Sequence, residues 1–479
     1  MVRGLFFGPQ TYFSVYQPPA GLSIGKARER PPFFAGAAII RRKLRILITR
    51  ARRRLPPGRS TGAKAAPAGR SIRMLTFLRR CLTLAAGAAA LALGCLTYLY
   101  TQLPDTFMVP QGQTLSLAQM PWIVPLEPKG AAAAQAVPAG GSYNVTLSVL
   151  GGIPVKTVRA VVVDRRAVTV CGTPFGIKMF SDGAMVVAFT DIRTTGGMAN
   201  PAKAAGLKMG DVIVSIDGQK TVDNDDVSAA IQASEGRSVQ LVYTRDGAQH
   251  TAALQPVQDA DTGSWRAGMW VRDSSAGIGT LTFVDNSTGI YGGLGHSISD
   301  ADTGQSITLL SGEVAPVTIT GYAAGAAGAP GELKGRFTGE PAMGDILING
   351  ATGVYGTIRR VLDGQDMVVT QAQEVYEGPA RILTTIDGQE PAWYDAVIER
   401  VSLTEEDPNR NMVLRITDPT LLAATGGIVQ GMSGSPIVQN DRLVGAVTHV
   451  LVNDPTRGFG IFAENMLASA DAAAARKAA

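Results

Sequence analysis

The residues with the clearest chemical potential lie in the run Gly426-Gly427-Ile428-Val429-Gln430-Gly431-Met432-Ser433-Gly434-Ser435-Pro436-Ile437-Val438. A serine held between glycines in a small-residue turn, running into the strand-like stretch 442–448, is the setting that a nucleophilic hydroxyl needs. Glycines let the chain turn tightly and let a substrate carbonyl come close. Main-chain N–H groups around Gly431 and Ser433 are then placed to form an oxyanion hole. Glycine–serine turns also occur as plain structural turns, so the reading depends on a base for the hydroxyl. Three histidines are available: His250, His296 and His449. His296 stands in Tyr291-Gly292-Gly293-Leu294-Gly295-His296-Ser297-Ile298-Ser299-Asp300, surrounded by glycines at a strand-to-turn junction. His449 lies inside the apolar run AVTHVLV and reads as a packed, hydrogen-bonded residue. His250 follows the Asp246-Gly247 turn and reads as solvated. His296 is therefore the base by role.

Other chemistries find little support. Cys81, Cys95 and Cys171 form no CxxC or Cys/His ligand spacing, so neither a disulfide framework nor zinc is implied. The histidines are too scattered for a metal site, and no cofactor is expected. The net charge of +5 is divided unevenly. Residues 1–73 hold 16 Lys/Arg and one acid, and the remainder is acidic, which removes the main argument for nucleic-acid binding.

The elements that would position these residues follow from composition along the chain. Residues 1–73 read as a basic disordered extension or as a region of mis-started translation, with Met74 opening an ordinary signal-anchor. The 24 uncharged residues 81–104 suit a membrane-crossing helix. Arg79 and Arg80 before it and Asp105 after it predict residues beyond 105 outside the cytoplasm. Leu93-Gly94-Cys95 has a faint likeness to a lipoprotein processing site, but an uncleaved anchor over 74–104 is the reading adopted here. Residues 105–141, rich in Pro, Gly and Ala, read as a linker. Residues 142–165 form a β segment with the alternation of strands on either side of Gly151-Gly152.

Residues 166–257 contain NPAKAAGLKMGDVIVSIDGQKTVDNDDVSAAIQA. A short helix ended by Gly206, a Gly210-Asp211 turn, a strand, an Asp217-Gly218 hairpin and a second helix follow in order. This run resembles a PDZ domain of the circularly permuted bacterial kind. The resemblance implies capture of a peptide or C-terminus by strand addition, and Gly183, Val186, Val187 and Phe189 are the expected lining of that groove.

Residues 265–475 show many short strands separated by Gly, Asp and Pro turns, as a two-barrel β domain requires. The pattern G-x-S-G-x-P is that of trypsin-like peptidases. GGLGHSISDADTGQSI, PGELKGRF, MGDILINGATGVYGT, ITDPTLLAATGGIVQGMSGSPIVQN and GAVTHVLVNDPTRGFGIF together resemble the SpoIVB peptidase family. The resemblance implies a mainly β chain: a transmembrane anchor, a PDZ domain and a chymotrypsin-like double β-barrel serine peptidase. It places the histidine of the family's G-H-x-I-x-D motif on His296. The nucleophile of G-M-S-G-S-P falls on Ser433, with Ser435 as the alternative, and the acid of T-D-P falls on Asp418. Asp345, 49 residues after His296, has the more usual separation for a trypsin-like acid and stays open as the alternative; Asp300 and Asp302 read as turn residues. The family further implies a sporulation protease of the inner forespore membrane, acting in the intermembrane space. It would cut itself and a membrane-protein regulator and so trigger processing of a mother-cell sigma factor. A non-catalytic PDZ adaptor and an HtrA-like quality-control protease are the competing readings.

Overall fold

The computed structural model describes residues 69–126, 137–300, 302–307, 309–359 and 362–478. The expectation for residues 1–73 lies almost wholly outside them. Among the described residues, those up to Thr97 form one unit and those from Tyr98 onward a second. A helix spans Gly69–Gln102. Its segment Phe77–Gln102 is 26 residues long and apolar enough to cross a membrane.

In the second unit, a four-stranded sheet follows the helix directly, in the order Thr106–Pro110, Ile153–Val163, Ser142–Val149, Ile123–Leu126. Residues 105–126 are therefore more than a linker. Phe107 and Val109 alternate inward and join Leu115, Leu117, Ile123, Val145 and Leu147 in a buried cluster. That burial outweighs the Pro and Gly content that made the segment look unstructured. Lys156 fastens the entry: its ammonium donates to the Leu103 carbonyl, pairs with Asp105 at 2.8 Å and lies 4.8 Å from the centre of the Tyr100 ring.

Two closed six-stranded barrels carry the glycine-rich motifs. The first is a ring of Pro174–Phe189, Leu309–Ala323, Gly344–Gly350, Gly353–Ile358, Ile290–Gly293 and Met269–Asp285, the last pairing back onto the first. The second is formed by Gly378–Thr384, Ala392–Val401, Met412–Ile416, Asp454–Phe462, Arg442–Leu451 and Pro436–Gln439. The C-terminal helix Ala463–Ala478 buries Met466, Leu467, Ala470 and Ala473 in a cluster that takes Phe283 and Tyr355 from the first barrel and Leu443 and Ile461 from the second.

The boundaries expected at 166–257 and 265–475 do not match this architecture. The strands Pro174–Phe189 and Met269–Asp285 are 16 and 17 residues long, and each serves two bodies. Residues 174–181 pair within the first barrel; residues 184–189 continue into the PDZ body, built with Val212–Ile216, Val239–Arg245 and Ala248–Leu254. The PDZ body is thus inserted into the first barrel. An uninterrupted apolar alternation carries no mark of where one core ends and the next begins.

The groove expected at Gly183–Phe189 is also corrected. Ala184 and Met185 pair with 212–213 on one edge, and Met185, Val186, Ala188 and Phe189 pair with 269–272 on the other. Val186 is fully buried. Over residues 184–186 the strand has no free edge to offer a peptide. Next to it, the outer edge of 269–273 faces the helix Asn224–Ala233. There Asn224 N–H donates to Asp273, and the Gln232 amide bonds both main-chain groups of Trp265.

Within the PDZ body Asp211 is 1 % exposed and receives two bonds of 2.7 Å from Arg245. Removing the partner leaves a carboxylate out of water and unpaired. Because Arg245 is itself partly solvated, Arg245→Met is expected to cost about 2 kcal/mol, and Arg245→Met with Asp211→Leu is expected to recover most of it. Denaturant unfolding followed by the fluorescence of Trp265 and Trp270 measures both.

Candidate active site

His296 is delivered by a reversal at the end of the buried strand Ile290–Gly293. Leu294 and Gly295 both take the left-handed conformation, at φ +64 and +73. That turn throws the chain onto the second barrel so closely that a Cβ at Gly295 would stand 2.9 Å from Thr448 Cγ2. Ser433 comes from the other side. The helix Pro419–Thr425 is stopped by Gly426 at φ +73, and the chain then winds through Gly431 (φ +96) and Gly434 (φ +94) into the strand at Pro436. At Gly434 a Cβ would lie 2.0 Å from the Thr280 carbonyl oxygen and 2.5 Å from Leu294 N. No other residue fits there.

The first barrel holds this loop by its carbonyls. Thr280 N–H donates to Ser433 O at 2.9 Å and Thr280 Oγ1 donates to Gly431 O at 2.9 Å. Thr282 Oγ1 donates to Gly434 O at 2.7 Å. Gly434 N–H is taken by the Val447 carbonyl, whereas the N–H groups of Gly431 and Ser433 meet no acceptor among the described residues. Two unfilled donors on one turn are groups of the kind that can receive a negative oxygen. Sequence reading missed Thr280 and Thr282, which lie 150 positions away in an unremarkable strand.

Ser433 is partly exposed, and its hydroxyl donates to the Thr448 carbonyl at 2.6 Å. His296 packs against the next residue, with its ring 4.6 Å from that of His449 and tilted by 32°. The structure therefore gathers Ser433, His296 and His449 around one strand, with no hydrogen bond yet between hydroxyl and imidazole. Ser435 is fully buried, and its hydroxyl is spent on the Met432 carbonyl. His296 Nδ1 lies 2.8 Å from the Ser297 carbonyl, which fixes the proton on Nδ1 and leaves Nε2 with its lone pair. Desolvation lowers the His296 pKa, against a smaller upward pull from that carbonyl. His449 is pushed down to about 3 by burial, with repulsion from His296 and Arg410 adding to it, so it is neutral. His449 was not anticipated at the site, because an apolar strand reads as core. His250 is exposed and stacks on Tyr243.

None of the expected carboxylates reaches His296. Asp418 caps the helix Pro419–Thr425: Oδ1 accepts from Thr420 N and Leu421 N, and Oδ2 from Asp395 N. The T-D-P motif is an N-cap followed by proline at the first helical position. Asp345 pairs with Arg359 on the strand Gly344–Gly350. Asp300 is buried, pairs with Arg272 at 2.7 Å and accepts from Asp302 N and Thr303 N, so it does shape a turn. Among the described residues no group of three His, Cys, Asp or Glu has the arrangement to hold a metal ion.

Two family models match the chain. Residues 263–467 match the family SpoIVB peptidase S55, and residues 197–245 match a PDZ domain. A Lactococcus lactis protein named as a zinc metalloprotease is 33% identical over 129 residues, which are 26% of this chain and 29% of that protein's length. Among solved structures, the PDZ domain of an SdrC-like protein from Listeria monocytogenes covers 19% of this chain and 87% of its own, at 21% identity and a TM-score of 0.16. The active form of the Rv3671c protease from M. tuberculosis covers 41% of this chain and 74% of its own, at 14% identity and a TM-score of 0.26. With a barrel pair and a glycine-framed serine beside a PDZ body, the chain carries a PDZ domain and, over residues 263–467, a domain that matches the SpoIVB serine peptidases.

Proposed function

We propose that Ser433 is the nucleophile, that His296 is its general base, and that the N–H groups of Gly431 and Ser433 receive the oxyanion. The observation that carries this reading is the pair of unfilled amide donors on the same turn as a solvent-reachable hydroxyl, beside a neutral imidazole. When a peptide enters, Ser433 Oγ leaves the Thr448 carbonyl and turns to His296 Nε2. The hydroxyl proton passes to Nε2 as Oγ attacks the peptide carbonyl. The imidazolium then gives that proton to the departing amine, and a water repeats the sequence to free the acyl group. The Ser297 carbonyl performs the orienting half of the task usually given to a carboxylate: it holds the tautomer. Full neutralisation of the imidazolium is missing, and the desolvation that keeps the resting base neutral adds to the cost of protonating it.

The family resemblance supports the wider setting. A single membrane crossing tethers the enzyme on the extracytoplasmic side of the inner forespore membrane. There it cuts a membrane-protein regulator of sporulation, and itself between the anchor and Tyr143, and so sets off intramembrane processing of a mother-cell sigma factor. The PDZ body binds a peptide or C-terminus, and the free edge of 269–273 beside the helix Asn224–Ala233 is the place for strand addition. The hydrogen bond from Ser433 to Thr448 instead of His296 favours one competing reading, a non-catalytic adaptor.

Three outcomes test these assignments. A fluorophosphonate is expected to label the wild-type chain at Ser433. Ser433→Ala should abolish both labelling and self-trimming; an unlabelled wild type supports the adaptor. Asp418→Asn is expected to leave kcat within about threefold, since asparagine caps a helix as well as aspartate, while Asp418→Ala lowers stability by about 1 kcal/mol. A drop in kcat of about 10³–10⁴ in Asp418→Asn, with stability intact, would return the acid to that residue. Finally, the active form of His296 is neutral and its pKa lies below the ordinary 6.5. Activity should stay level as pH falls to 6.5 and decline only below it, in a kcat/KM profile measured against pH.

A further inference from the structure

We infer that the enzyme accepts only a small side chain, that of Gly, Ala or Ser, on the residue whose carbonyl it attacks, because Ile428 and Val450 fill the space a larger one would need. The inference rests on the roles proposed for Ser433 and for the Gly431 and Ser433 amides, and it adds the substrate class. A carbonyl with its oxygen on those two amides and its carbon at Ser433 Oγ has a defined orientation. Because Ser433 Oγ rests on the Thr448 carbonyl, we place the substrate side chain between the arm 427–431 and the strand segment 448–450, with Gly458 of the strand Asp454–Phe462, the partner of Val450, behind them. These three parts lie against one another.

The arm is tied down along its length. Ile428 N–H donates to the Pro455 carbonyl at 2.8 Å. A Cβ at Gly427 would lie 2.2 Å from that same oxygen. Ile428 is 2 % exposed and belongs to the core of the second barrel with Val429 and Val447, and Val450 packs on that cluster. The back strand lacks a side chain at Gly458 and Gly460; Gly460 is closed by Ile437 Cδ1 at 2.8 Å from a Cβ placed there, so Gly458, which pairs with Val450, is where room could have been left. A Cβ there would lie 2.6 Å from Ile428 Cδ1 and 2.8 Å from the His449 carbonyl, so the isoleucine already occupies the opening. The one carboxylate on the back strand, Asp454, is already paired with Arg457 and so is not free to receive Lys or Arg. Arg457 beside Gly458 points to Glu399 and Asp454, at 2.8 and 3.3 Å. A shallow apolar wall of this kind discriminates by size, and each extra methylene is worth about 10–200-fold.

The full-length chain in lipid nanodiscs is incubated with a library of decapeptides randomised at eight positions, and the cut sites are read by mass spectrometry. Gly, Ala and Ser are expected to precede nearly all cuts. Follow-up single peptides should show Ala over Leu by at least about tenfold and Ala over Phe or Lys by at least about a hundredfold. Val450→Ala, at the rim, is expected to raise the Leu-to-Ala ratio about tenfold, as is Ile428→Ala if it folds. Cleavage by the wild type after Leu, Phe or Lys at the rate seen after Ala overturns the inference while leaving the nucleophile in place. No cleavage of any peptide, together with a Ser433 that a fluorophosphonate does not label, overturns the nucleophile and the pocket with it.

Discussion

The carbonyl grip of Thr280 and Thr282 on the 431–434 turn is the constraint on which the rest of the site depends. A glycine-rich turn is soft, and glycine loses more conformational freedom on ordering than any other residue. Three hydrogen bonds from one strand of the first barrel fix Gly431, Ser433 and Gly434, the residues whose main chain must face the reacting carbonyl. The bonds consume carbonyls and leave the neighbouring N–H groups pointing out. They also cross between the two barrels, so the donors from one half and the histidine of the other are set by a single joint. Gly434 makes the joint possible, since its bare Cα is what lets Thr280 and Leu294 approach.

The base proposed for this site has few polar partners among the described residues. His296 has a main-chain carbonyl on one nitrogen, another imidazole against its face and no carboxylate. A carbonyl dipole can fix a tautomer, but it supplies less than a full charge when the ring becomes cationic. The neighbour does not help, because His449 is neutral and Arg410 adds positive potential. The structure thus describes a resting site whose hydroxyl is parked on Thr448 and whose base is dry and uncharged.

How much of this was legible in the sequence depends on how local each feature is. The Ser433 turn and the His296 reversal are written in consecutive glycines, because left-handed backbone at 295, 431 and 434 needs them. The PDZ body was legible for the same reason, through Gly206, Gly210-Asp211 and Gly218. Asp418 was misread because T-D-P is both a motif position and an ordinary helix start, and only the helix geometry separates the two. The peptide groove was misplaced because strand 183–189 looks alike whether it sits at an edge or inside a sheet. Thr280 and His449 had no local signal at all, since their roles arise from a contact between barrels.

The continuity of Pro174–Phe189 and Met269–Asp285 through both bodies bears on how the chain acquires its structure. The two strands are neighbours in the first barrel but are separated in sequence by the whole inserted body. Emerging from a ribosome or a translocation channel, the first strand must wait until the insert has been made before its partner exists. Closing so long a loop is slow for a disordered chain. An insert that folds first brings its two ends together at Phe189 and Met269, and it hands the barrel a ready-made hairpin. On that order of events the PDZ body would template the barrel, and a lesion in it would be felt first as a defect of assembly.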